Sequence, residues 1–198
     1  AIDGTLTWAT LTQPNYGHRI VIPLAVTALL APLTDWNLLV EAYVGYAMLV
    51  GAYIALVAPL RAVDVPYPWL AAFVIGVVFF STRQRTNLIW SFTALQWFTM
   101  QLFIALAGWA FVTRRVGFGG FALTVLFTLL SMASSGGGVA LLVVFPLLFW
   151  LRGYRSWMWY VAWGAIAVAA FYLYTLGMQT GEDGVAPLVI RPLDNFWF

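Results

Sequence analysis

The side chains in this sequence that could do chemistry are few, and most are basic, hydroxylic or amide. His18 and Arg19 set a titratable ring beside a planar guanidinium just before an apolar run. That pair suits a phosphate, which an arginine fork grips well, and it suits equally an anchor at lipid headgroups. Ser134-Ser135-Gly136-Gly137-Gly138 precedes another apolar run. Exposed backbone N–H groups and the helix dipole favour an anion at such a place, and missing side chains would let a phosphate approach. The same residues also read as a simple break between packed helices. Glu41 stands about one turn into a long apolar stretch, where a carboxylate is costly. It marks either a substrate or proton site or a glutamate that snorkels or pairs with an arginine. Gln96 and Gln101 lie deep in the stretch 88–112, and Thr93 and Gln96, three apart, share a helix face. They line a polar groove or bond across helices.

Other chemistry is excluded or unsupported. There is no cysteine, hence no disulfide framework and no thiolate site. A single histidine supplies no metal cluster, and His18, Asp35 and Glu41 show no ligand spacing. No metal site is expected and no cofactor is identifiable, although a divalent metal stays open. The basic residues are nine arginines, thinly spread, which is no footprint for nucleic acid.

These groups are embedded in an unusually apolar chain. Hydrophobic residues make up 63% of 198 and charged ones 8%, against about 25% charged in ordinary soluble domains. A soluble fold this small cannot hide so much apolar surface. In a bilayer the backbone must satisfy itself, so spans are helices or closed barrels. Unbroken apolar stretches such as 38–60 and 88–112 favour helices over the alternating segments of a barrel. The expected fold is an all-α polytopic transmembrane bundle of about six to seven membrane segments, several of them short or re-entrant. It forms a single domain over 1–198, with 1–19 and 178–191 as extramembrane loops. The chain begins at Ala1 and ends at Trp197-Phe198 as an apolar run starts, which reads as a fragment of a longer protein.

The expected segments are 20–33, 38–60, 69–80, 88–112, 118–132, 139–151 and 157–177. The first would be only about 21 Å long as a helix, short of a hydrocarbon core of roughly 30 Å. It is a tilted span, a re-entrant piece or an interfacial helix. Ala47, Gly51 and Ala55 form a small-residue ridge for close helix approach, and Trp157, Trp159, Tyr160 and Trp163 an interfacial belt. Arg61, Arg114, Arg115, Arg152 and Arg155 place their loops in the cytoplasm, against Arg83 and Arg85 opposite. The polar breaks at 34–37, 81–87 and 134–138 then share the outer face. The segment 1–19 joins them there only if 20–33 does not cross.

Three stretches carry a resemblance to a family. They are Gly4-Thr5-Leu6-Thr7-Trp8 leading to Gly17-His18-Arg19-Ile20, then Gln84 to Asn87 with Trp90 and Phe92, then Ser134-Ser135-Gly136-Gly137 followed by Phe145-Pro146. In these the chain resembles large bacterial membrane proteins related to the GT-C glycosyltransferases. The resemblance implies transfer of a sugar from a polyprenyl-phosphate carrier at the outer face of the bacterial cytoplasmic membrane. It implies His18, Arg19, Arg83, Arg85, Asn87, Ser134, Ser135, Gly136, Gly137 and Gly138 as a phosphate-binding set, and Asp3, Asp35 or Glu41 as the catalytic acid. The family pattern has an acid just before the His-Arg pair, where this chain has Gly17, and another near Thr86. Membrane lipid and partner helices are the other expected contacts. Two further functions remain open, a transporter or flippase-like protein built on broken helices and a non-catalytic subunit of a membrane complex.

Overall fold

The computed structural model describes residues 7–13, 18–61, 65–81, 87, 89–114 and 117–176. Among these residues every regular element is helical and no strand occurs. In chain order the elements are α1 (Trp8–Thr12), α2 (Val21–Thr34), α3 (Leu38–Val57), α4 (Pro68–Phe79), α5 (Ser91–Thr113), α6 (Phe118–Met132), α7 (Leu141–Leu151) and α8 (Trp157–Thr175). A 3-10 turn, Ala58–Arg61, extends α3, and another, Gly136–Ala140, runs into α7.

The local sequence explains several boundaries. The Asn37 side chain accepts from the Leu39 N–H at 3.0 Å, satisfying a donor that the first turn of α3 would leave orphaned. Pro59, which has no N–H, falls in the 3-10 turn that closes that helix. Pro68 opens α4, where its fixed φ suits the first helical position.

Among the described residues, three helical runs are long and apolar enough to cross a membrane: Leu38–Arg61, Ser91–Thr113 and Trp157–Thr175. Val21–Thr34, Pro68–Phe79, Phe118–Met132 and Gly136–Leu151 are apolar but shorter. The chain is therefore an α-helical membrane protein; of the expected six to seven membrane segments, several of them short or re-entrant, three among the described residues are helices long enough to span. Twelve residues of α4 rise only about 18 Å, well under the hydrocarbon thickness.

The centre of the bundle is the parallel pair α3 and α5. A Cβ added at Gly45 would meet Ala94 at 3.1 Å, and one at Gly51 would meet Leu102 at 3.3 Å. Further along, Ala52, Ala55 and Ala105 are buried together. The close-packing stripe is thus Gly45, Leu49, Ala52 and Ala55, while Ala47 of the expected ridge is exposed. The four-residue spacing picks out Ala47, Gly51 and Ala55, but Gly45 and Ala52 put small residues on a neighbouring stripe, and the packing partner decides which one is used.

At the other end of α5 an aromatic cluster joins α5 to α8. Phe111, Phe121, Phe145, Phe149 and Trp163 stack with ring centroids 5.1–6.1 Å apart. Trp163 also donates its indole N–H to the Leu142 carbonyl at 2.9 Å. Of the expected aromatic belt, Trp157 is exposed, Trp159 and Tyr160 are half-buried, and Trp163 belongs to the core.

α2 does not cross the bundle. Its N-terminal end is pinned where α6 stops, because the Ile22 N–H donates to the Ala133 carbonyl at 3.1 Å. Each group would otherwise be an orphan of a helix end buried in protein. Its other end turns through Asp35 and Trp36 straight into the start of α3. The α6 end is itself recessed: the Ser131 hydroxyl lies 3.5 Å from the Met100 carbonyl. Met100 is nine residues into α5, or about 14 Å from its start. α6 and α2 are two short helices that meet end to end inside the bundle.

Candidate functional site

The junction of α2 and α6 gathers residues from both ends of the described chain. Arg19, half-buried just ahead of α2, directs its guanidinium at backbone carbonyls. Nε donates to the Tyr174 carbonyl at 2.7 Å, and the two terminal nitrogens donate to the carbonyls of Thr12 and Leu176. The Arg19 N–H also points at the Tyr174 hydroxyl, at 3.4 Å. One cation therefore ties α1, the entry to α2 and the end of α8. Three of the five guanidinium donors are occupied in this way and the charge persists.

His18 lies across the glycine break. A Cβ added at Gly136 would fall 2.6 Å from the His18 Nδ1 and 2.9 Å from the Tyr174 Oη. The absent side chain at 136 is thus the space that the imidazole and the phenol occupy. Although His18 keeps an exposed edge, partial desolvation there lowers its pKa from the usual 6.5. Desolvation thus favours the neutral ring.

The other residues of the break pack inward. A Cβ at Gly137 would meet the Met100 Sδ at 2.8 Å, and one at Gly138 would meet the backbone of Ser131 and Met132 at 2.5 Å. Ser134 is buried and donates its hydroxyl to the Leu130 carbonyl at 2.8 Å. The Ser134 and Ser135 N–H groups both go to the Ser131 carbonyl at 3.1 Å. Around Gly137 and Gly138, the missing side chains make room for α5 and α6.

Beside the cluster runs an apolar groove between α7 and α8, of about 530 Å³, with Leu142, Val143, Ala167, Val168, Phe171 and Thr175 among its lining. Thr175 on its lining is next in the chain to Tyr174 of the cluster.

The structure brings together His18, Arg19 and Gly136 of the expected set. It adds Tyr174 and the groove, which the sequence did not single out. Asp35 is exposed and left-handed (φ 56°) at the far end of α2. The fourteen residues of α2 separate it from His18 by about 21 Å. Glu41 is buried and faces Thr27 of α2 instead. Thr93 and Gln96 are half-buried on the first turns of α5, and Asn87 precedes them. Asp3, Arg83, Arg85 and the segment 178–191 lie outside the described residues. Among the described residues, no three His, Asp or Glu side chains group as a metal site.

Fold and cluster together define an α-helical membrane protein with a polar junction set among short helices. Comparison with known protein families, curated proteins and solved structures finds no match.

Proposed function

We propose that this chain is the carrier-binding part of a GT-C-like glycosyltransferase, holding a polyprenyl-phosphate-linked sugar at the outer face of a bacterial cytoplasmic membrane. The observation that supports the proposal is the convergence of His18, Arg19 and Tyr174 at the Gly136 break, with an apolar α7–α8 groove whose lining includes Thr175, the residue after Tyr174. The polyprenyl chain lies in the apolar groove. The phosphate then meets the Arg19 charge, whose spare N–H groups are its donors, with the Tyr174 hydroxyl and the His18 ring beside it. α2, α4 and the α6–α7 pair act as partial or re-entrant segments around the three full spans.

Sugar transfer needs a carboxylate within hydrogen-bond reach of the acceptor hydroxyl. Asp35, at the far end of α2, is too distant from His18 for that role, and Glu41 is buried in another seam. Binding therefore belongs to the described bundle, and Asp3 or a residue supplied by a longer chain provides the base. One observation favours a second reading, a transporter or flippase-like protein. Two half-helices meeting head to tail inside a bundle are the usual setting of a transported substrate.

The test is binding and turnover of polyprenyl-phosphate sugars by the full-length protein in liposomes. Tight binding that Val168→Trp weakens about tenfold or more, with sugar transferred to an acceptor, is the expected result. Movement of the intact carrier between leaflets without transfer would select the transporter. No binding across several sugars would overturn both.

A further inference from the structure

A carboxyl on α3 and a hydroxyl on α2, Glu41 and Thr27, face each other in a seam poor in other polar groups. Glu41 is 4% exposed in the first turn of α3. Thr27, midway along α2, lies against that carboxyl, yet its hydroxyl is shut off from solvent and reaches no partner with the geometry of a full hydrogen bond. An ionised carboxylate held in such a seam is costly unless a cation pairs with it.

No such cation stands there among the described residues. α2 has no ionisable side chain between Val21 and Thr34, and α5 has none between Ser91 and Thr113. On α3 the titratable neighbours are Tyr43 and Tyr46, whose rings pack edge to face, with Tyr46 also against Phe98. Beyond the two ends of α2 stand His18 and Arg19 on one side and Asp35 on the other. Arg19 is committed to the carbonyls of Thr12, Tyr174 and Leu176.

A neutral carboxyl changes the accounting. The Thr27 hydroxyl can donate to an ionised carboxyl or accept from a protonated one, and only the second arrangement leaves no charge in the seam. We propose that Glu41 and Thr27 form a proton-binding site that latches α2 onto α3. The Glu41 O–H donates to Thr27 Oγ1 when the seam is closed. When that O–H bond breaks, the proton passes to water at the outer end, only about one helical turn away. The carboxylate left behind is no longer accommodated in the apolar seam, and α2 lifts from α3.

The construction of α2 fits a latch. Pro32 cannot donate to the carbonyl of Ala28, which weakens the last turn. Asp35 and Trp36, next in the chain, both adopt left-handed backbone (φ 56° and 60°), a conformation L residues hold at a cost. α3, by contrast, is locked to α5 along the stripe from Gly45 to Ala55. The proposal is independent of the carrier-binding reading, because neither Glu41 nor Thr27 touches the groove or the His18 cluster.

The test uses the full chain in liposomes. Dicyclohexylcarbodiimide, which adds to protonated carboxyls in apolar surroundings, should label Glu41 at pH 6 and progressively less as pH rises. Glu41→Gln should remove that adduct while the neutral amide keeps the fold. The chain has no cysteine, so nitroxides on Leu29→Cys and Tyr43→Cys, both exposed positions, report the width of the seam. Their separation should grow with pH in the parent protein and stay constant with Glu41→Gln. Thr27→Val should shift the labelling midpoint and Thr27→Ser restore it. Absent or pH-independent labelling between about pH 5 and 9 would overturn the proton site, and a seam that ignores pH despite labelling would overturn the latch.

Discussion

Replacing Gly138 with alanine should cost the folded protein about 3 kcal/mol. The added Cβ falls 2.5 Å from the Met132 nitrogen and the Ser131 carbonyl carbon, and 2.7 Å from the Ser131 Oγ. The two nearest atoms are backbone in the last turn of α6, so no side-chain rotation relieves the overlap. The 3-10 turn has to move away from α6, disturbing the seat on which α2 begins. Overpacking a core usually costs about 1–3 kcal/mol, and a backbone obstacle puts this site at the upper end. Gly164 of α8 is the control, because a Cβ there meets nothing within 4 Å. Alanine at that position should be neutral or stabilising by about 0.5–1 kcal/mol. Thermal unfolding of the full chain in one detergent reads the difference, which for a chain of this size corresponds to a loss of about 6 °C or more. Gly138→Ala melting with the parent protein would refute close packing as the reason for the glycine. If it also lost affinity for phosphate, the anion cradle expected from the sequence would be the better account.

Three further outcomes follow from the same contacts. Arg19→Ala removes three hydrogen bonds to carbonyls and should cost about 1–3 kcal/mol; Arg19→Lys, with no fork, should restore only part of it, read as protease resistance of the segment before α2. Partial burial lowers the His18 pKa from 6.5 in the fold, so the unfolded chain takes up the proton first. Stability should be at its full value above pH 6.5 and fall as pH drops toward the lowered pKa; His18→Gln should flatten the melting temperature across that window. Trp163→Phe leaves the buried Leu142 carbonyl without its donor and should lower stability by about 1–3 kcal/mol, measurable by the same unfolding assay.

How much was legible in the sequence depended on the range of the cause. The helical membrane class rests on composition and run length, which are properties of the chain itself. The reach of each helix followed from the same source, which is why 20–33 already read as short. Where that short helix goes was not legible, because it depends on the Ile22 N–H meeting Ala133, far along the chain. The partners of Arg19 were hidden for the same reason, since Tyr174 lies 155 residues away. His18, Arg19 and Gly136 were singled out for anion chemistry and do converge. Gly137 and Gly138 were singled out with them, yet they face Met100 and the end of α6. A glycine shows that a side chain is missing, and only the group opposite shows what the gap is for.

Because α2 begins inside the bundle and ends at the start of α3, the proposed outward opening of the His18–Arg19 cluster requires that the chain ahead of α2 enter from the side on which Asp35 lies. Single cysteines at Thr12, Asp35 and Gly153, introduced into this cysteine-free chain, test that directly with a membrane-impermeant maleimide on intact cells. Thr12→Cys and Asp35→Cys should both be labelled from outside, and Gly153→Cys only after the membrane is opened. Labelling of Asp35→Cys with protection of Thr12→Cys would mean that α2 crosses the membrane, and the cluster would then have no place at the outer face.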